Sequence, residues 1–511
     1  MIERPATLPM PATFAVRWRD TVTARHDALF LLFEGPSGTV TRWTYGQFDA
    51  LVTRVAGGLA ARGVGPGDRV GLALRNSPAF VALWLACARL GAAMVASDPS
   101  AATPELAVQL TRTRARLGVC APQRSPVYRA AADRAGVPVI EVSEDDTSLE
   151  VLSGPAMEAE TPHPDDLLGL MFTSGTTSAP KCVMVTQANY AFTGDVMAAA
   201  AALRCDDRYL VVLPLFHANA QYYSFAPAIA AGASVALMHT FSASGFLTQA
   251  ARHEATHASL FAAPMRMILA RGVPVPGLRL THCWYAQNLT SEQYEAMTRL
   301  LGCRPRQLYG MTETIPAVLT NRAVAPVPAS MGQVTLGCEL RVADPATGDP
   351  VPPGSEGDLL VRGVPGRTIF AGYLDEPETT QASFRTLGRQ EWFVTGDRGT
   401  VDAEGNVFFA GRGGDVLKVA GENVSVVEIE AVLAEHPGVF EAAVLGEPDP
   451  VRDEVPVAYV VPRPGADLND LPEWCAARLA KAKRPVRFER VDALPRTSVG
   501  KIRKFLLRSG E

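Results

Sequence analysis

The 511-residue chain has few of the features that mark disulfide-rich, metal-binding or nucleic-acid-binding proteins. Its eight cysteines are scattered, with no CxxC pair and no zinc-like spacing, so they predict reduced thiols of a cytosolic protein. The 48 basic residues are outnumbered by 53 acidic ones, which leaves no basic excess for nucleic acid or anionic lipid. Small molecules are therefore the expected partners.

The sequence also lacks a convincing signal peptide or membrane span. Its first ten residues, MIERPATLPM, contain charges and prolines instead of an apolar core. The most membrane-like run, residues 78–97, carries Arg89 near its middle and predicts a buried helix followed by a strand. With 47% hydrophobic residues, the chain is nevertheless apolar enough to form several packed units, and a cytoplasmic location is expected.

Helix, turn and strand patterns alternate in the first hundred residues. Residues 43–64 place apolar side chains at helical spacing, a turn follows at 65–68, and residues 69–74 have a strand pattern. The same order recurs over residues 80–90 and 92–96. This alternation predicts a doubly wound α/β sheet, which binds ligands at the carboxyl ends of its strands.

The stretch at residues 170–187, LMFTSGTTSAPKCVMVTQ, predicts a phosphate-binding loop. Gly175 and its small neighbours allow backbone N–H groups to form a nest for phosphate oxygens, and the Lys181 ammonium adds positive charge. The P-loop pattern GxxxxGK[ST] is absent, so a P-loop fold is not supported. The alternative is a surface loop rich in Ser, Thr and Gly. The candidate phosphate-binding hydroxyls belong to Thr173, Ser174, Thr176 and Thr177.

This stretch resembles the phosphate-binding signature of the acyl-adenylate-forming superfamily, which comprises acyl-CoA synthetases, nonribosomal adenylation domains and beetle luciferases. Five further stretches match in the order of that family, so the resemblance covers nearly the whole chain. It implies a large adenylating domain of doubly wound sheets and helices (1–411), a hinge (412–414) and a small mobile α+β lid domain (415–511). In the last hundred residues the patterns predict helices over 424–436 and 471–481 and strands over 442–445 and 457–461.

The second match is YGMTET at residues 309–314. The resemblance implies that Tyr309 offers a flat face to adenine, Thr312 a hydroxyl to the α-phosphate, and Glu313 a carboxylate to Mg²⁺. The alternative is a helix N-terminus capped by Thr312. The expected nucleotide and metal contacts further include Thr176, Gly310 and Met311.

Later matches supply the expected ribose and interdomain contacts. Asp397 resembles the carboxylate that grips both ribose hydroxyls, although a turn aspartate is the alternative. Arg412 resembles a ribose and phosphate contact, and Gly414 would lie at the hinge, where glycine widens the accessible backbone range. The residues expected to approach the site after rotation of the small domain are Lys418, Gly421, Glu422 and Asn423.

The acyl pocket is predicted around an apolar run at 209–217 that has a strand pattern and ends in His217. A lone histidine here is most often structural, but the resemblance implies a pocket wall that moves between half-reactions. In the stretch 278–289, Trp284 and Tyr285 replace a small turn before Ala286, and these two rings could either reshape the pocket or fill the core. Further candidate walls are Phe216, Asn219, Gln221, Tyr222, Ala262 and Ala263.

Residues 495–501, PRTSVGK, resemble the mobile lysine loop of the family. A lysine near a C-terminus is usually a solvated charge. In this motif, Lys501 is expected to neutralise charge between the acyl carboxylate and the α-phosphate.

The resemblance implies a two-step ligase that uses ATP, Mg²⁺ and CoA, as a monomer or homodimer. Finer matches resemble the crotonobetaine/carnitine-CoA ligase branch, namely Ser178 and the stretches 363–373, 421–430 and 451–455. The apolar candidate walls favour a hydrophobic acid, such as a bulky alicyclic, terpenoid or fatty one. A carnitine-like cation caged by aromatic rings stays open. Two further alternatives are a ligase that loads a carrier protein and a catalytically silent nucleotide-binding regulator.

Overall fold

A computed structural model describes residues 13–157, 161–173, 180–412, 416–419, 422–450, 452–496 and 502–508. The strands are β1 Leu29–Glu34, β2 Val40–Thr44, β3 Arg69–Ala73, β4 Ala93–Ala96, β5 Leu117–Cys120, β6 Val139–Glu141, β7 Leu167–Thr173, β8 Lys181–Thr186, β9 Arg208–Val211, β10 Ser234–Met238, β11 His257–Phe261, β12 His282–Ala286, β13 Arg306–Tyr309, β14 Leu319–Thr320, β15 Ser330–Val334, β16 Glu339–Ala343, β17 Glu356–Arg362, β18 Phe384–Leu387, β19 Gln390–Val401, β20 Val407–Arg412, β21 Val416–Val419, β22 Glu422–Ser425, β23 Val439–Asp449, β24 Asp453–Pro462 and β25 Arg487–Arg490.

The α-helices surround these strands and are joined by short 3₁₀ and π segments, of which Gln221–Phe225 (π) and Thr312–Thr314 (3₁₀) concern the site. The helices are α1 Phe14–Arg25, α2 Tyr45–Ala61, α3 Pro78–Leu90, α4 Thr103–Thr113, α5 Ser125–Ala135, α6 Gln187–Ala201, α7 Ala218–Ala220, α8 Ala226–Ala231, α9 Phe246–Arg252, α10 Ala262–Arg271, α11 Ser291–Leu301, α12 Pro377–Ala382, α13 Val426–Ala434, α14 Leu471–Arg478 and α15 Phe505–Arg508.

The helices predicted near the N-terminus begin and end at recognisable caps. Thr44 closes a capping box at the start of α2, and Ser77 caps α3 just before Pro78. Helix α3 ends at Gly91, whose φ of 64° lies in the left-handed region that favours glycine. Helix α3 and β4 are buried almost throughout, so the most membrane-like run is a buried helix and strand, as predicted. No helix in the described part of the chain is long and apolar enough to cross a bilayer.

The described strands form three sheets, and the predicted α/β architecture with a large N-terminal and a smaller C-terminal part is confirmed. One sheet has the order β6-β5-β3-β4-β7-β8 and is parallel except for β8. A 14-stranded sheet contains the parallel neighbours β10, β9, β11, β12 and β13 and continues as an antiparallel layer through β14 to β20. The third sheet combines β21 to β25.

The main hydrophobic core includes buried residues from Phe14 to Val407, and a separate core joins α13, α14 and the third sheet. Helix α13 is shorter than predicted because residues 422–425 pair with β21 instead of continuing the helix. The strand predicted over 209–217 is also shorter and ends at Val211. The Asn76 amide donates to the carbonyl of Leu213, which fixes the following loop as an irregular segment.

Candidate functional site

The phosphate-loop prediction falls on the turn between β7 and β8. Thr173 and Lys181 lie directly opposite each other in this antiparallel pair, which places both at the mouth of the turn. The Thr173 hydroxyl donates to the Lys181 carbonyl at 3.5 Å. The intervening predicted residues lie outside the described residues: Ser174, Gly175, Thr176, Thr177 and Ser178.

Lys181 and Glu313, which are 132 positions apart in the sequence, meet on one tyrosine ring. Lys181 Nζ is 4.8 Å from the Tyr373 ring centroid, and the Tyr373 hydroxyl donates to Glu313 Oε1 at 3.1 Å. Glu313 is buried, with 8% of its surface exposed. Burial, followed by the negative charge of Glu313, raises the pKa of Tyr373, so its hydroxyl remains a hydrogen-bond donor. Sequence reasoning missed Tyr373, although it lies in the stretch 363–373 that carried part of the branch resemblance.

Tyr309, Asp397 and Arg412 form a second polar cluster. The Tyr309 hydroxyl donates to Asp397 Oδ2 at 2.7 Å, and Arg412 Nε lies 3.3 Å from Asp397 Oδ1. Asp397 and Arg412 are paired across β19 and β20, and Asp397 is an ordered strand residue rather than a turn aspartate. Burial, followed by the Asp397 charge, raises the pKa of Tyr309. The structure therefore brings together the three side chains that sequence resemblance assigned to the nucleoside.

Residues 310–314 join the two clusters, and a side-chain hydrogen bond within this stretch stabilises its turn. The Thr314 hydroxyl accepts from the Met311 N–H at 3.0 Å, so the alternative in which Thr312 caps this turn is wrong. A Cβ atom at Gly310 would lie 2.7 Å from the Tyr223 hydroxyl, so glycine is required there. The Thr312 hydroxyl makes no hydrogen bond with a described residue, and Met311 and Thr312 are half-buried.

Ile315 follows this turn in a backbone conformation that a β-branched residue rarely adopts. Its φ is 69° and its ψ is −80°, close to the values of a strained γ-turn, and its side chain is fully buried. The Thr314 hydroxyl donates to the Pro316 carbonyl at 3.2 Å and so spans the strained residue. Such strain is commonly held at functional sites. No sequence pattern indicates a positive φ at an isoleucine.

The residues predicted to line the acyl pocket follow β9. His217 precedes α7 and is half-buried, with its ring centroid 4.5 Å from that of Phe216. Asn219 is buried and accepts a hydrogen bond from the Ser259 hydroxyl at 2.8 Å. Its amide nitrogen has no hydrogen-bond partner among the residues that the structure describes.

Gln221 and Tyr222 lie in the π segment and are fully buried. The Gln221 side chain accepts from the Tyr190 hydroxyl and donates to the Leu215 carbonyl, so its polar atoms are bonded within the protein. The Tyr222 hydroxyl lies 3.8 Å from Met171 Sδ. Single π turns inside helices are frequent at functional sites.

Trp284 and Tyr285 are both buried in the core, which favours the second of the two alternatives weighed for them. The Arg306 guanidinium lies 4.6 Å from the Trp284 ring centroid, and His282 packs edge-on against the same ring. Tyr285 faces Tyr294 of α11, on the other side of β12. Ala286 is half-buried at the carboxyl end of β12, where the small turn was expected.

A cavity of about 710 Å³ lies between α10 and the start of β23, beside the Phe216 ring. Apolar side chains form part of its wall, among them Phe241, Met267 and Phe440. Its charged lining consists of Arg75, Arg266, Arg271, Arg496, Asp98 and Glu441. Sequence reasoning missed this group of arginines, because no sequence pattern indicates that Arg75, Arg266 and Arg271 of α10, and Arg496 of the PRTSVGK motif meet around one cavity.

The remaining predicted residues belong to the C-terminal part. Lys418 and Glu422 lie in a hairpin, where β21 pairs with β22 and Lys418 stands opposite Asn423. Gly413, Gly414, Gly421 and Lys501 lie outside the described residues. Within the described ranges, no group of three or more His, Cys, Asp or Glu side chains is arranged to hold a metal ion.

Known protein families match most of the chain. Residues 18–374 match the AMP-binding enzymes, and residues 428–501 match the AMP-binding enzyme C-terminal domain. A crotonobetaine/carnitine–CoA ligase of Salmonella paratyphi A is 32% identical over 511 residues, which cover 95% of this chain and 97% of the relative.

Two solved structures have closely similar folds. ATP-bound MatB from Rhodopseudomonas palustris has a TM-score of 0.88 and 28% identity, with 98% of each chain covered. The o-succinylbenzoate CoA synthetase MenE from Bacillus subtilis, in complex with its acyl-adenylate intermediate OSB-AMP, has a TM-score of 0.85 and 27% identity, with 99% of each chain covered. The chain therefore belongs to the AMP-binding enzyme family and, with these relatives, to its AMP-forming acid–thiol ligases.

Proposed function

We propose that this protein activates a hydrophobic carboxylic acid as acyl-AMP and then transfers the acyl group to CoA. The observation that carries the proposal is the arrangement of two polar clusters on one short stretch. Tyr309 belongs to the Asp397 cluster, whereas Glu313, four residues later, belongs to the Lys181 cluster. One stretch can thus contact the nucleoside at one end and the metal-bound phosphates at the other.

In the first step, a carboxylate oxygen of the acid attacks the α-phosphorus of ATP, and the bond to the β-phosphate breaks to release pyrophosphate. Asp397 and Arg412 hold the ribose, the Thr312 hydroxyl contacts the α-phosphate, and Lys181 faces the outer phosphates with Thr173 and residues 174–177. Lys501 would stabilise the charge that develops between the carboxylate and the α-phosphate.

Glu313 would hold Mg²⁺. Magnesium commonly binds one or two carboxylates together with substrate phosphates, and a buried carboxylate oriented by a neutral hydroxyl donor fits that requirement. When bound, the ion would neutralise phosphate charge. Thr176 is the second proposed contact.

In the second step, the thiolate of CoA attacks the acyl carbonyl carbon, and the bond to AMP breaks. The 710 Å³ cavity is of a size typical of ligand sites, and its wall at Phe216 and Met267 suits a pantetheine arm. Arginines such as Arg75 and Arg271 suit the phosphates of CoA, because guanidinium binds phosphate with charge-assisted hydrogen bonds. Rotation about residues 412–414 would remove Lys501 and present the 418–423 loop.

The charges around the pocket favour an uncharged acyl group over a carnitine-like cation. The Trp284 face that could have formed an aromatic cage already carries the Arg306 guanidinium. The cavity proposed for CoA adjoins the predicted acyl pocket at Phe216, and its four arginines outnumber its two carboxylates, so this excess of positive charge disfavours a cationic acyl group beside it. We therefore propose a different acid from the one named for the Salmonella relative.

ATP–pyrophosphate exchange tests the proposal across fatty, aromatic, terpenoid and betaine acids, each repeated with CoA or with a phosphopantetheinylated carrier protein. Exchange with a hydrophobic acid and formation of its CoA thioester is the expected result. Exchange with betaines alone would contradict the proposed substrate class, and thioester formation only on the carrier would contradict the proposed acceptor. No exchange with any acid, together with ATP binding by calorimetry, would favour a silent regulator.

A further inference from the structure

Tyr373 occupies the space between a cation and an anion that would otherwise attract each other. The Lys181 ammonium faces the centre of its ring at 4.8 Å, and the Glu313 carboxylate accepts from its hydroxyl at 3.1 Å. In the described part of the chain, Lys181 and Glu313 form no ion pair with each other. The ring therefore separates the Lys181 ammonium from the Glu313 carboxylate.

The backbone around Tyr373 fixes the ring from both sides. Residues 371–374 run beside β8, where the Ala371 N–H donates to the Met184 carbonyl and the Leu374 N–H donates to the Cys182 carbonyl, both at 2.9 Å. Phe370 extends the segment toward the other charge, because its N–H donates to the Glu313 carbonyl at 2.9 Å. The strand that begins with Lys181 and the turn that carries Glu313 are thus held in register by one segment.

Side-chain packing allows Tyr373 little freedom. It is 4% exposed, its ring packs edge-on against Phe370 at 5.0 Å, and its N–H donates to the Thr380 hydroxyl at 2.9 Å. A hydroxyl held in this way restricts the rotation of the carboxylate that accepts from it, and such restriction preorganises a metal ligand.

We propose that Tyr373 is a positioning residue for Mg·ATP, in which the hydroxyl orients the Glu313 carboxylate and the ring keeps Lys181 apart from it. The inference rests on the proposed function, because it assigns the metal to Glu313 and the outer phosphates to Lys181. Its two parts are separable by substitution. Tyr373→Phe removes only the hydroxyl, whereas Tyr373→Leu removes the hydroxyl and the ring.

For Tyr373→Phe, the loss of one hydrogen bond to a charged carboxylate should raise the Mg²⁺ concentration for half-maximal pyrophosphate exchange by about 5- to 10-fold, with little change in kcat. Tyr373→Leu should additionally raise the KM for ATP, because Lys181 would then pair with Glu313. Mn²⁺ binding in the presence of ATP, measured by electron paramagnetic resonance without acid, should weaken by a similar factor in Tyr373→Phe.

Tyr459→Phe is the matched control, since the Tyr459 hydroxyl also donates to a glutamate, Glu447, but in the third sheet. It should leave both metal measurements unchanged. The positioning role would be overturned if Tyr373→Phe required the same Mg²⁺ concentration for exchange as the wild type and bound Mn²⁺ with the same affinity. A lowered melting temperature with unchanged metal affinity would overturn it as well. If the wild type shows no exchange, the proposed function fails, and Mn²⁺ binding with ATP still decides whether Tyr373 positions the metal ligand.

Discussion

The two ends of strands β11 to β13 both contain buried polar side chains, but the two groups are arranged differently. At the amino ends, the His257 and His282 rings stack at 5.0 Å, and Arg306 donates to His282 while lying over Trp284. At the carboxyl ends, Ala286 and Tyr309 border the proposed nucleotide site.

Shifted pKa values do not distinguish the two ends, because burial raises the pKa of Tyr309 at the carboxyl ends and also shifts the pKa values of the amino-end groups. Burial, followed by the Arg306 charge, holds the pKa of His282 well below its ordinary value, and burial lowers the pKa of Arg306 to about 10. These groups are enclosed by rings and strands. In contrast, the Arg412 side chain is 47% exposed, and Lys181 is half-buried. Partly exposed cations are thus the feature that separates the proposed ligand site from the structural cluster in this fold, because Glu313 and Asp397 are themselves buried.

Removal of the largest ring of the amino-end cluster should have the largest effect on stability. Trp284→Ala deletes a fully buried indole, so we expect the free energy of unfolding to fall by about 3–5 kcal/mol in a denaturant titration. Trp284→Phe, the milder variant, should retain the acid preference of the wild type. A changed order of preferred acids in Trp284→Phe would place this ring in the acyl pocket. It would contradict the assignment of the amino-end cluster to a purely structural role.

Glu313→Gln should show the opposite pattern at the carboxyl end. The amide keeps the size of the side chain but loses the charge proposed to hold Mg²⁺, so kcat/KM for ATP in pyrophosphate exchange should fall by about 100-fold. The melting temperature should change little. The control is Glu339→Gln, whose carboxylate pairs with Arg362 on β16 and β17 and which should keep full activity.

The amino-end cluster should also make stability depend on pH. Folded His282 is held neutral, whereas in the unfolded chain it takes up a proton below its ordinary pKa of 6.5. Its contribution to stability is therefore present above pH 6.5 and is lost as the pH falls below that value, by about 1.4 kcal/mol per pH unit. Denaturant titrations between pH 7 and 5 measure this slope. An unchanged slope in His282→Gln would assign the effect to other groups, such as His257.

The smallest expected effect is at the ribose cluster. Tyr309→Phe removes the hydrogen bond to Asp397 but keeps the ring proposed for adenine, so the KM for ATP should rise by about 2- to 10-fold. Initial rates of exchange at varied ATP measure this change. A rise in the KM for the acid with no change for ATP would contradict the assignment of this cluster to the nucleoside.

Sequence patterns predicted the helices and strands whose formation depends on residues near each other in the sequence. The alternating patterns over 43–64, 69–74, 80–90 and 92–96 predicted the helices and strands that the structure shows as α2, β3, α3 and β4. The motif order located Tyr309, Glu313, Asp397 and Arg412 by resemblance, and the structure brings these side chains into two adjoining clusters.

The features that sequence reasoning missed depend on contacts between distant segments. Tyr373 meets Glu313 across 60 positions, and the cavity joins two arginines of α10 to Arg75 and Arg496, which lie in distant loops. The positive φ of Ile315 is imposed by the turn around it and has no signature in the residue itself. The rings of Trp284 and Tyr285 could not be assigned from sequence, because alternation along β12 decides which side of the sheet each one faces.

The most direct test of the proposed two-step reaction is a single-turnover experiment with α-labelled ATP and a hydrophobic acid that supports exchange, quenched before and after addition of CoA. The two-step reaction should give an acid-dependent acyl-AMP that accumulates without CoA and is converted to AMP and acyl-CoA when CoA is added. Formation of ADP, or release of AMP without an acyl-linked intermediate, would contradict it.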